Sequence, residues 1–225
     1  NEARIRFKAL AEDKHPSLAA EALRRWLSME KNQPQETSQR EVVLKQIIGK
    51  GLQPEAGEAM AENVERLYQQ GKLEAAFNEA KKIIVLKNTV SPFARGKARM
   101  VQAKVLGQEF YQQSVKAKVD RLATVLAIKT ERLDKAQRAY QEAISMGDAR
   151  VGVECLKELA KMYDHYSKSL RSIQLPPEVS GADAEKFREE LTNLAIPIEE
   201  KGVETVEIAV VLQRQNNLQD VELME

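Results

Sequence analysis

One cysteine in 225 residues, Cys155, excludes an internal disulfide, although a chain without bridges fits more than one redox compartment. Histidine is nearly as scarce. His15 and His165 lie far apart, and neither has a second histidine three or four positions away on the same helical face, the spacing a metal site needs. Net charge is equally thin. Thirty-five Lys and Arg stand against thirty-four Asp and Glu, leaving +1, so no overall field draws the chain to nucleic acid or anionic lipid. The longest apolar runs, such as IAVVL at 208–212, fall far short of the roughly 20 residues that cross a bilayer. No run alternates with period two in β-branched residues, so strands are not expected.

What is present is helix-forming material. Hydrophobic residues make up 43% and charged residues 31%, too apolar for disorder and close to the Ala/Glu/Lys/Leu/Arg profile of long helices. The chain begins with Asn1 and carries no signal-peptide pattern, which reads as a processed or trimmed piece of a longer protein.

Apolar residues recurring three and four apart predict helices throughout. The first covers about Ala3 to Glu12, and a second starts at His15-Pro16-Ser17 and ends at Asn32 to Pro34. A third runs through Val42, Val43, Ile47 and Ile48 to the Gly49/Gly51 break. Pro54 suits the first turn of the next, which continues to about Gln70. Gly71 caps it, and Leu73, Ala76, Phe77, Ala80, Ile83 and Ile84 form the stripe of its hairpin partner. After a turn at Asn88 to Pro92, long helices are predicted over about Phe93 to Gln113 and Ala117 to Met146, closed by Gly147-Asp148. Another helix carries Val153 to Leu170 before the LPPEVSG loop at 175–181. Beyond it Pro197 is expected to kink or restart the helix, and the tail after Asn217 to fray.

Helical hairpins at intervals of a few tens of residues are the signature of an α-solenoid built from antiparallel helix pairs. GKLEAAFNEAKKI at 71–83 supplies the turn glycine and small contact residues of a second helix. LGQEF at 106–110 and LAKMY at 159–163 each supply a small residue followed one turn later by an aromatic. Small side chains allow close helix crossings and large ones fill the space beside them. These residues resemble the tetratricopeptide repeat in degenerate form: Val64 stands where a small residue is usual, and the later helices exceed the standard 34-residue unit. From about Gly107 to Lys201 the succession LDKAQRAYQEAISMGD, VGVECLKELAKMYDHYSKSL, LPPEV, FREEL and AIPIEEK is similar to tetratricopeptide-repeat proteins of deltaproteobacterial cell envelopes, including those linked to gliding motility. Gly202 departs from the alanine expected there. The domain reading is divergent helical hairpins over 1–53, a superhelical array over 54–217 and a tail over 218–225.

The resemblance implies a concave groove lined by first helices of the pairs: Glu62, Glu65, Tyr68 and Gln69; Lys104, Gln108, Tyr111 and Gln112; Glu158, Lys161, Asp164 and His165. It implies a non-enzymatic scaffold that binds a protein segment in an envelope assembly, placed in the periplasm of a Gram-negative bacterium, with the cytoplasm the alternative. A helical regulatory or substrate-presenting domain of a larger enzyme is the rival reading, and self-association through uncapped helix ends a third.

No residue pattern calls for chemistry. Carboxylate pairs such as Glu189-Glu190 and Glu199-Glu200 follow from composition and fit a solvated face. Cys155, beside Leu156 and Leu159, fits a buried small hydrophobe better than a nucleophile. The glycines lack the strand and the GK[ST] or GxGxxG spacing of phosphate loops. Basic runs at 95–99 and 116–121 are interrupted by acidic residues and lack interleaved aromatics, so no nucleic-acid partner is assigned. The sequence assigns no catalytic, cofactor-binding or metal-ligating residue.

Overall fold

The computed structural model of the protein describes residues 2–30, 37–51, 54–175 and 180–218. Among these residues it is all-α: α1 (Glu2–Ala11), α2 (Pro16–Glu30), α3 (Thr37–Lys50), α4 (Glu55–Gln69), α5 (Leu73–Val85), a short 3-10 turn (Lys87–Thr89), α6 (Pro92–Gln112), α7 (Val119–Ser145), α8 (Ala149–Arg171) and α9 (Ala182–Gln215), with no strand. The expected turn at Asn32 to Pro34, positions 176–179 of the LPPEVSG loop and positions 219–225 of the tail lie outside the described residues. The chain divides into two compact units, 1–101 and 102–225, with the division inside α6.

In the first unit, Ala11, Leu23, Trp26, Val43, Leu44, Ile47, Ala56 and Ala59 close one core across α1 to α4. A second core forms where α4 and α5 fold back on each other and on the start of α6: Ala61, Val64, Ala76, Ala80, Ile83, Ala94, Ala98 and Val101. The hairpin turn follows from its glycine. Gly71 adopts φ +74°, a left-handed conformation open to glycine at little cost. Its N–H donates to the Tyr68 carbonyl (2.9 Å), and the Lys72 N–H donates to the Leu67 carbonyl (3.0 Å). Together these bonds form a Schellman cap that satisfies two orphaned carbonyls of α4. Ala76 and Ala80 are then fully buried and Tyr68 stays half-buried.

The second unit is organised around α8. Asp148 caps it by accepting a hydrogen bond from the Val151 N–H (3.1 Å), and the helix buries residues in every turn from Val151 to Leu170. Cys155 is among them, fully buried. The α6 residue Gly107 faces α7 and α8 at ordinary contact range: a Cβ there would stand 3.7 Å from the Met162 sulfur and 3.9 Å from the Tyr140 hydroxyl. Helix α9 runs antiparallel to α8. Gly152 meets Leu212, Tyr163 meets Gly202, and Arg171 grips Glu199 through Nε (3.0 Å) and Nη2 (2.6 Å).

Of the two outcomes expected at Pro197, a kink or a restart, the restart does not occur: α9 continues through it. Proline removes the N–H that would bond the Asn193 carbonyl, at a cost of about 3 kcal/mol in a helix interior. Both Pro197 and Asn193 are exposed. Buried Leu191, Ala195, Thr205 and Ala209 hold α9 in place on both sides of the proline.

Candidate functional site

The C-terminus of α6 leaves its last carbonyls without intrahelical donors. They are taken up from α7. The Lys129 ammonium donates to the Phe110 carbonyl (2.8 Å) and the Gln113 carbonyl (2.8 Å), and one turn on, the Arg132 guanidinium donates to the Glu109 carbonyl (2.8 Å). Two cations thus meet the negative end of the α6 dipole, where positive charge is favoured. Lys129 is 1% exposed. Its third proton points to His165 Nε2 at 3.3 Å, so with Lys129 charged that nitrogen accepts and the imidazole proton sits on Nδ1.

Aromatic rings wall this niche. The Lys129 Nζ lies 4.2 Å from the Phe110 ring centroid, a cation–π distance. The His165 ring meets Phe110 (5.6 Å) and Tyr111 (4.9 Å) edge-on, and Phe110 meets Tyr166 (6.0 Å) likewise. The Tyr166 hydroxyl shares a hydrogen bond with Thr130 Oγ1 (2.7 Å) and reaches the Leu126 carbonyl (3.3 Å).

The electrostatics follow from burial. Desolvation, then the Arg132 charge, pulls the Lys129 pKa down to about 8. Desolvation and then the Lys129 charge lower that of His165, with Asp164 opposing. Burial raises the Tyr166 hydroxyl above its ordinary range.

The twelve sequence-predicted groove residues fall into two groups. On α4, in the first unit, Glu62, Glu65 and Tyr68 are half-buried and Gln69 is exposed, with Glu65 facing Lys97 at 3.6 Å. In the second unit, Lys104 and Gln108 are half-buried while Tyr111 and Gln112 are exposed. Glu158 and Lys161 pair with each other (3.0 Å), and Asp164 pairs with Lys168 (2.8 Å). Of these residues, Tyr111 and His165 are brought into ring contact across α6 and α8.

Sequence reasoning missed Lys129, Arg132 and Thr130. A signal for Lys129 was available: it occupies an inward position in the register Leu122, Lys129, Leu133, Ala136, Tyr140 and Ala143, where a lysine is out of place unless its charge has partners.

Among the described residues no cluster of His, Cys, Asp and Glu could hold a metal, and no helix is long and apolar enough to cross a membrane. Comparison with protein-family models, with curated proteins and with solved structures gives no match.

Proposed function

We propose that the chain is a helical interaction scaffold, a degenerate tetratricopeptide-like α-solenoid, and that its second unit recognises a protein segment across the face shared by α6 and α8. The observation that carries this reading is Tyr111, 40% exposed and resting edge-on against His165, which is itself fixed by the buried Lys129. An aromatic ring that is open to solvent yet held from beneath supplies large contact area at low entropic cost, the character of an interface anchor. Lys104, Gln108 and Gln112 on α6, with Glu158, Lys161 and Asp164 on α8, are the polar residues the proposal assigns to the same face. Glu62, Glu65, Tyr68 and Gln69 form a second proposed patch on α4. The resemblance at 107–201 supports placing the scaffold in a Gram-negative cell envelope, facing the periplasm, and its partner is a protein of that assembly.

The test is affinity purification of the intact protein beside two variants. Tyr111→Ala removes the anchor. The double swap Glu158→Lys/Lys161→Glu keeps the ion pair but inverts the charge pattern. Loss of the same bound protein from both variants is the expected result; an unchanged set of bound proteins would sink the reading.

A further inference from the structure

The Lys129 ammonium has three protons and three acceptors: the Phe110 carbonyl (2.8 Å), the Gln113 carbonyl (2.8 Å) and His165 Nε2 (3.3 Å). None of its donors is spare. Because the Lys129 side chain is buried, bulk water does not make good an acceptor that is lost.

The arrangement works in one protonation state of the imidazole. Neutral His165 accepts at Nε2, whereas the imidazolium carries a proton on both nitrogens and accepts at neither. Protonation would set a second N–H and a second positive charge against the ammonium at 3.3 Å. Like charges that close repel strongly beside a buried side chain, and an attraction between imidazolium and a neighbouring ring is small by comparison.

The groups facing His165 do not offset that repulsion. From α7 come Lys129 and, one turn on, Arg132, both positive. From α6 come the Phe110 ring and the Tyr111 phenol. On α8 itself Asp164 is paired with Lys168 (2.8 Å) and Lys161 with Glu158 (3.0 Å). Burial and then the Lys129 charge accordingly outweigh Asp164, and the imidazole binds a proton less readily than usual.

His165 is half-buried, so a charged ring has a short way out to water. Tyr111 is the neighbour it would leave. Their centroids lie 4.9 Å apart, and Phe110 touches both rings, Tyr111 at 5.3 Å and His165 at 5.6 Å. Turning His165 outward removes one of the rings that hold Tyr111.

We propose that His165 is a pH switch for the α6/α8 face: neutral, it completes the set of acceptors around Lys129 and holds Tyr111 in place; protonated on mild acidification, it turns outward, frees Tyr111 and releases the protein partner. The release step rests on Tyr111 being the interface anchor, whereas the ring movement does not.

The ring movement is tested without a partner, by NMR of the intact protein labelled in its Tyr and His rings and titrated from pH 7.5 to 5. Nuclear Overhauser contacts between the His165 and Tyr111 ring protons are expected at pH 7.5, and should vanish with the midpoint of the His165 titration. Contacts that persist in the protonated form would overturn the switch. Release is tested by affinity purification at the two pH values, beside His165→Asn, which stays polar without titrating in this window. Wild type should retain several-fold less of its bound protein at pH 5 and His165→Asn equal amounts; equal retention by wild type, or the same loss from both, would overturn the switch. Failure to retain any protein at either pH would count against Tyr111 as an anchor, and the ring contacts alone would then decide whether His165 moves.

Discussion

Lys129 Nζ and His165 Nε2 lie 3.3 Å apart in the niche where α7 closes the end of α6, and the Lys129 charge adds to burial in lowering the affinity of His165 for a proton. Protonated His165 would turn Nε2 from acceptor to donor and place imidazolium against ammonium. Because its folded pKa is depressed below the ordinary 6.5, the unfolded chain takes up the proton first on acidification. Stability from this group is therefore complete above pH 6.5 and is lost as pH falls through the folded value. Urea midpoints measured from pH 7.5 to 5 should fall for the wild type and fall less for His165→Asn, which retains polarity without titrating in this window.

Lys129 gives the opposite arm. Its folded pKa of about 8 lies below the usual 10.5, so between these values the unfolded state binds the extra proton and stability rises with pH. A neutral amine still supplies two N–H donors to the Phe110 and Gln113 carbonyls. Urea midpoints should climb from pH 8 to about 9.5 in the wild type, and Lys129→Met should lack the climb. A wild-type profile flat across that range would show that the ammonium is not desolvated as described.

At neutral pH, Lys129→Met takes a donor from both carbonyls, and although the Phe110 carbonyl keeps the Gln113 N–H (3.2 Å), that of Gln113 loses its Lys129 bond, which costs about 1–3 kcal/mol for an unsatisfied polar group. Arg132→Ala removes one bond to the Glu109 carbonyl at an exposed rim and should cost well under that. Chemical denaturation of the two variants side by side checks the order; equal effects would contradict the burial argument.

Much of this fold was legible because helical periodicity, glycine and proline declare themselves locally. The Gly71 hairpin, the burial of Ala76 and Ala80, the break at Gly147-Asp148 and the burial of Cys155 all follow from neighbours within a few positions. At Pro197 the helix does not restart, because buried Leu191, Ala195, Thr205 and Ala209 hold α9 on both sides of a local breaker. Lys129 escaped because its partners come from residues 16 to 36 positions away, and no local rule brings Phe110, Gln113 and His165 together. For the same reason the contact of Tyr111 with His165 was not legible.

Two helical glycines should respond in opposite ways to alanine. Helix propensity favours alanine by about 0.8–1 kcal/mol at either position. At Gly202 the added Cβ would meet the Tyr163 Cβ at 3.4 Å, an ordinary contact, whereas at Gly152 it would stand 2.9 Å from Leu212 Cδ2, forcing that side chain aside. Gly202→Ala should raise the melting temperature by roughly 2–4 °C, and Gly152→Ala should leave it unchanged or lower it. Matching rises in both would mean that the α8–α9 contact is looser than described.

The central claim is that Tyr111 marks the face at which a protein partner is met. It is tested most directly by placing a photo-cross-linking phenylalanine derivative at Tyr111 or, as a control, at Val203 of α9, which is 61% exposed and so the more accessible of the two. Irradiation in the native setting is predicted to yield one discrete higher-mass protein adduct from position 111 and none from position 203. No adduct from position 111, or the same adducts from both, would contradict it.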